Sequence, residues 1–97
     1  MRTLYVIAYD ICDAKRLRRV HRQMKGFGDP LQYSIFRCEL TPLELQDLKS
    51  RLWNILKLDD DRVMVLRLGP VGGAADDSIE YWGAPLVEPS EPAATIV

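Results

Sequence analysis

Two carboxylates and a run of guanidinium groups are the residues in this 97-residue chain best suited to chemistry. In Y-D-I-C-D-A-K-R-L-R-R-V-H-R-Q-M-K, residues 9–25, an apolar run stops at Asp10 and Asp13. Lys15, Arg16, Arg18, Arg19, Arg22 and Lys25 then follow with no acid among them. Carboxylate oxygens are hard ligands that suit a divalent cation such as Mg²⁺, which keeps several waters and completes its shell from substrate phosphates. Neighbouring guanidinium groups would neutralise the non-bridging oxygens of a phosphodiester under attack. The same residues also make a plain strand end, a helix cap and a solvated basic face, with no chemistry at all. Asp10, beside Tyr9 at the strand end, is the stronger ligand candidate. Asp13 stands where an N-cap is needed, so its oxygens are expected to be taken by backbone N–H groups.

Other reactive side chains are less promising. His21 falls near the buried stripe of the basic helix and reads as structural rather than as a general base. Ser34 has no His or Asp partner at a recognisable spacing, so it is not read as a nucleophile. Asp59, Asp60 and Asp61 form a run of like charges that reads as a solvated turn, with no resemblance to a calcium-binding loop. Cys12 and Cys38 lack both ligand spacing and a disulfide framework, which favours a reducing, cytoplasmic setting. Tyr33 and Phe36 are aromatic rings able to stack on bases, with core packing the simpler role for at least one of them.

The elements that must position these groups are legible from pattern. Residues 2–9 read as a strand, with Leu4, Val6 and Ala8 on one face and Tyr5, Ile7 and Tyr9 on the other. A helix is expected from Ala14 to about Lys25, with Leu17, Val20 and Met24 buried. Gly26 and Gly28 close it, both able to take positive φ. Residues 31–40 are strand-like throughout, and a kink near Gln32–Ser34 would split them into two short paired strands. Thr41-Pro42-Leu43-Glu44 is a capping box with proline at the first helical position. It opens a helix to about Leu56, with Leu45, Leu48, Leu52 and Ile55 or Leu56 inward and Trp53 extending that face toward the sheet. Residues 62–68 form a further strand. Past Gly69-Pro70 and Gly72-Gly73, residues 78–82 read as a short strand able to cross to a neighbour's sheet edge. The three prolines from Pro85 to Pro92 argue against a core element, and residues 94–97 could add an edge strand. The domain division is thus a core over 1–69 and an acidic, Gly/Pro-rich extension over 70–97.

A formal net charge of -1 hides an asymmetry. Residues 1–69 hold all 13 Lys and Arg against nine acids, a net of +4, whereas 70–97 hold five acids and no base. The core is therefore suited to a polyanion although the whole chain is mildly acidic. No stretch approaches the roughly 18 apolar residues of a membrane span, and no secretory signal is expected before the first strand. The order β-α-β-β-α-β, with two amphipathic helices, points to a ferredoxin-like α+β sandwich with an additional C-terminal strand. Apolar residues on both faces of the first strand point to a second subunit covering the face that the helices leave open.

Taken together, Y-D-I-C-D-A-K-R-L-R-R-V, G-F-G-D-P-L-Q-Y-S-I-F-R-C-E-L, the capped helix and R-V-M-V-L-R-L-G resemble the CRISPR-associated protein 2 family over about residues 3–69. The resemblance implies a ferredoxin-like homodimer with exchanged C-terminal strands. It also implies a role as a DNA-binding scaffold for the partner integrase during spacer acquisition, and Mg²⁺-dependent endonuclease activity on single-stranded RNA or double-stranded DNA. The family's metal-binding aspartate maps onto Asp10, its neighbouring aromatic onto Tyr9, a helical arginine onto Arg19 and a sheet phenylalanine onto Phe36. Arg16 and Arg18 stand near other family arginines, and Arg22 joins them in the expected nucleic-acid-binding set. Pro30 replaces a basic residue that some members carry before Q-x-S. A non-catalytic nucleic-acid-binding scaffold and a toxin-type small endoribonuclease are the alternative readings.

Overall fold

A computed structural model of the chain describes residues 1–84. Six principal elements follow one another as β1 (Thr3–Asp10), α1 (Ala14–Lys25), β2 (Asp29–Gln32), β3 (Ile35–Leu40), α2 (Pro42–Trp53) and β4 (Arg62–Pro70). The strands form one sheet in the order β2-β3-β1-β4, with every neighbouring pair antiparallel. The expected kink is present: Tyr33 and Ser34 make the turn between β2 and β3, and Gln32 pairs with Ile35. The amide of Tyr9 donates to the Ser34 carbonyl at 3.0 Å, which ties this turn to the end of the central strand.

Strand alternation divides the sheet into two faces. Tyr5, Ile7 and Tyr9 point inward with Phe36, Cys38 and Leu40, and they pack with Val20 and Met24 of α1 and Leu48 and Leu52 of α2. Both helices therefore cover this face. Leu17, expected in the stripe, is partly exposed, and Trp53 is more exposed than buried. Lys49 lies 5.2 Å above the Trp53 ring. The other face carries Val6 and Ala8, paired with Arg37 and Ile35 on one side and with Leu66 and Met64 on the other. Met64 is 55% and Leu66 44% exposed, so this face is apolar and open along β4.

Both helix starts follow their local signals. The Asp13 side chain accepts from the Arg16 amide at 3.0 Å, and that hydrogen bond holds its carboxyl below the usual range. At α2 the full capping box forms: the Glu44 amide donates to Thr41 Oγ1 and the Thr41 amide to Glu44 Oε1. Gly28 is needed for a reason other than the expected one. Its φ is not positive; instead, a Cβ there would collide with the Arg37 carbonyl and stand 2.5 Å from Cys38 Sγ. The turn after α1 lies directly on β3, and only glycine leaves room.

The C-terminal strand expected near 78–82 is absent from the sheet of the described chain. Ala74–Ser78 form a short 3-10 turn instead, and Ile79–Ala84 belong to no regular element. Gly69, at φ 138°, approaches Ala75 closely, and Arg37 lies 3.8 Å from Asp76, so this turn caps one end of the outer face. Within the described chain residues 79–82 pair with neither of the sheet's outer strands, β2 and β4. The expected edge strand at residues 94–97 and the prolines from Pro85 lie outside the described residues.

Candidate nucleic-acid interface and strand-end carboxylate

Asp10 is the last residue of β1, opposite Arg62 in register. It is exposed, and its side chain makes no hydrogen bond or ion pair among the described residues. By alternation it belongs to the open outer face, together with Val6 and Ala8. Among the described residues, no three acidic, histidine or cysteine side chains gather into a metal cluster. Asp10 thus offers one exposed oxygen donor group, which suits an ion that binds one or two carboxylates and keeps its waters.

Tyr9, one residue earlier, faces the other way and is only 5% exposed. Its hydroxyl lies 2.9 Å from His21 Nδ1 and donates to the Tyr33 carbonyl at 3.1 Å. With its single proton given to that carbonyl, the hydroxyl is left to accept from Nδ1–H. Phe36 is completely buried, stacked 6.2 Å from the Tyr9 ring and edge-on to His21. The two aromatic residues expected on nucleic acid therefore lie in the core, where they set the position of His21 and of the Tyr33–Ser34 turn. His21, beside the stripe, is held by the Tyr9 hydroxyl and the Phe36 ring.

The arginines of α1 divide into two groups. Arg16 is committed to Asp61, with Nε donating to Oδ2 at 2.7 Å and Nη2 to Oδ1 at 3.1 Å. The Cys12 and Lys57 amides, each at 2.9 Å, complete the four donors to that buried carboxylate. The Arg16 guanidinium, followed by desolvation that opposes it and by the two amides, holds the Asp61 carboxyl far below the usual range. Asp61 was expected in a solvated turn. It instead clasps the loop after β1 to the loop before β4, and the Cys12 thiol donates to the Asp60 carbonyl at 2.9 Å alongside. The partners lie 45 residues apart, so no local pattern marks them.

Arg18, Arg19 and Arg22 are exposed and have no hydrogen bond or ion pair among the described residues. Arg18 and Arg22, four apart, border a groove of about 460 Å³ closed on its far side by Tyr33 and Ser34. Arg19 and Arg22 also face Arg51 of α2, which is itself paired with Asp47 at 3.1 Å, across a second hollow. Exposed guanidinium groups without acidic partners are free to bind phosphate bidentately.

This sheet, with both helices on one face, an open apolar face behind and a carboxylate at the central strand's end, defines a small α+β protein with a cationic helical side. The chain belongs to the family described as CRISPR associated protein Cas2, whose model matches residues 1–71. It is 37% identical over 82 residues to a protein of Synechocystis named CRISPR-associated endoribonuclease Cas2 3, covering 84% of this chain and 86% of that one. A Thermodesulfovibrio yellowstonii protein named CRISPR-associated endoribonuclease Cas2 2 is 40% identical over 91 residues, covering 84% of this chain and 99% of the relative. Among solved structures, the Streptococcus pyogenes Cas2 crystal structure superposes with a TM-score of 0.70 at 28% identity, covering 82% of this chain and 99% of that one. A hypothetical protein of Thermus thermophilus gives 0.74 at 31% identity, covering 90% and 98% respectively.

Proposed function

We propose that this chain is a CRISPR adaptation protein that binds DNA and, as a homodimer, scaffolds the integrase that inserts new spacers. In this reading Asp10 serves as a Mg²⁺-dependent endonuclease position acting on RNA or double-stranded DNA. The observation that carries it is the set of Arg18, Arg19 and Arg22 on one helix, exposed and without acidic partners, in a chain of this family. The relatives named as endoribonucleases support the phosphodiester chemistry. The element order and the strand order β2-β3-β1-β4 support the ferredoxin-like description of the fold.

The homodimer reading rests on the outer face. Met64 and Leu66 stand half exposed beside Val6, Ala8 and Ile35, and a second copy of the same face would remove them from water. Asp10 lies at the end of that face, so a two-fold axis through it would bring two carboxylates toward each other. Like charges so placed favour a shared cation. Mg²⁺ held by Asp10 and its symmetry mate would supply a Lewis acid and a bound water of lowered pKa. The arginines orient the polyanion and stabilise charge on its phosphate oxygens. Buried Tyr9 keeps the strand end and the adjacent turn in register. Extended backbone at Ile79, φ -109° and ψ 120°, suits pairing with a neighbour's edge.

A non-catalytic scaffold is the second reading, favoured because Asp10 belongs to no group of three metal-ligating side chains among the described residues. Asp10→Ala separates the two. With wild type and variant compared in matched cleavage and integration assays, with and without Mg²⁺ and integrase, loss of cleavage from a folded dimer supports the nuclease. Unchanged cleavage by rigorously purified Asp10→Ala refutes the role of Asp10. Absence of DNA binding by the wild type at low salt would overturn the proposal as a whole.

A further inference from the structure

The groove between α1 and the β2–β3 turn is built for more than phosphate. It is lined by Leu17, Arg18, His21, Arg22, Tyr33 and Ser34, with Lys25 at its end, and no carboxylate borders it. Its volume of about 460 Å³ lies within the roughly 300–1,000 Å³ of small-ligand sites. Tyr33 is 65% exposed, although the turn that carries it is fixed from below. The Tyr9 amide holds the Ser34 carbonyl at 3.0 Å and the Tyr9 hydroxyl holds the Tyr33 carbonyl at 3.1 Å. A large ring held mostly out in water on an anchored turn presents a face that a planar ligand can cover.

We propose that this groove is a pocket for a single unpaired nucleotide, with Tyr33 stacking on the base and Arg18 and Arg22 holding the adjoining phosphates. Arg18 and Arg22 lie one helical turn apart on one face of α1, and neither has a partner among the described residues. A duplex keeps its base faces stacked on one another and offers only phosphates and groove edges. An exposed aromatic beside an apolar Leu17 and two guanidinium groups matches a base whose π-face is free. The ligand class is thus a single-stranded stretch or an overhang, recognised without strong sequence preference. Because Tyr9 reaches this turn while Asp10 faces the opposite side, the pocket and the strand-end carboxylate occupy opposite faces at the same end of the sheet. The pocket rests on the nucleic-acid-binding reading above and gives single-strand recognition a place on the helical side, apart from Asp10.

The test compares a blunt duplex with the same duplex bearing a short 3′ overhang that contains 2-aminopurine, using the full chain. Wild type is expected to bind the overhang probe more tightly and to change the 2-aminopurine fluorescence by stacking. Tyr33→Ala should lose that advantage by about 5- to 150-fold, the range of single-base stacking losses, and leave blunt-duplex affinity unchanged. Tyr33→Phe should retain it. Equal affinity of wild type for the two probes, or an overhang advantage and fluorescence change that survive Tyr33→Ala, would overturn the pocket while duplex binding stands. Failure of wild type to bind either probe would instead overturn the nucleic-acid reading on which the pocket rests.

Discussion

Replacing Arg18, Arg19 and Arg22 together by glutamine is expected to flatten the salt dependence of DNA binding, whereas Arg16→Gln leaves it unchanged. All four residues look equivalent in sequence, but only the first three lack a partner in the fold. Each phosphate neutralised on a duplex releases counterions worth a slope of about -0.9 in log K against log salt. Three lost contacts per chain therefore remove about 2.7 from the slope, so that roughly 40-fold of the wild-type weakening between 50 and 200 mM salt disappears. Arg16 already spends its charge on the Asp61 carboxylate. Its replacement should lower the urea midpoint, because Asp61 then keeps only the Cys12 and Lys57 amides. The assay is fluorescence anisotropy with a labelled duplex at four salt concentrations, with a urea titration of each variant alongside. A triple variant that retains the wild-type slope would refute the assignment. So would Arg16→Gln, if it remained folded and lost as much slope as the triple variant.

Three further outcomes follow from particular contacts. The folded-state pKa of Asp61 is depressed, so its contribution to stability is complete above the unfolded carboxylate pKa of about 3.9 and falls as pH drops below it; Asp61→Asn should flatten the dependence of the urea midpoint between pH 5 and 2. Gly28→Ala places a methyl group against the Arg37 carbonyl and the buried Cys38 sulfur, an overpacking that should cost about 3 kcal/mol in chemical denaturation; a loss below about 1 kcal/mol would mean that the turn can move off β3 freely. Leu66→Glu puts a charge on the open outer face and should weaken self-association by about tenfold or more in sedimentation equilibrium, a change of 1.4 kcal/mol; an unaltered dimer would place the interface elsewhere.

Local signals carried most of the fold. The capping box at Thr41–Glu44, the Asp13 cap and the alternation in residues 3–10 all depend on neighbours within a few positions, and each forms as its pattern implies. The kink at Tyr33–Ser34 could only be posed as an alternative, because the turn lacks the glycine or asparagine that marks a hairpin. Where the structure departs from the local pattern, the deciding partner is distant. Asp61 has the composition of a solvated acidic run until Arg16 and the Cys12 amide arrive from the other end of the chain. Phe36 and Tyr9 are aromatic residues whose burial depends on two helices packing over one sheet face. Residues 78–82 join no strand of their own chain, and the exchanged pairing read from their composition belongs to the dimer proposal. Asp10 was legible as the strand-end carboxylate because its signal is a local break from apolar to acidic.

The Arg16–Asp61 clasp also shifts the electric field of the basic helix. With Arg16 neutralised and the Asp13 carboxylate at the cap, the opening turn of α1 is nearly balanced. Unopposed positive charge begins at Arg18 and continues through Arg22, in the middle and later turns of a 12-residue helix. In the last turn, Arg22 and Lys25 also meet the partial negative charge of the helix's carboxyl end, which favours them there. A polyanion is steered by the summed charge it meets, and here that charge lies past the helix start, at the arginines that border the groove with Tyr33. On the proposed nucleic-acid-binding reading, the clasp would thus set the direction from which the polyanion first approaches.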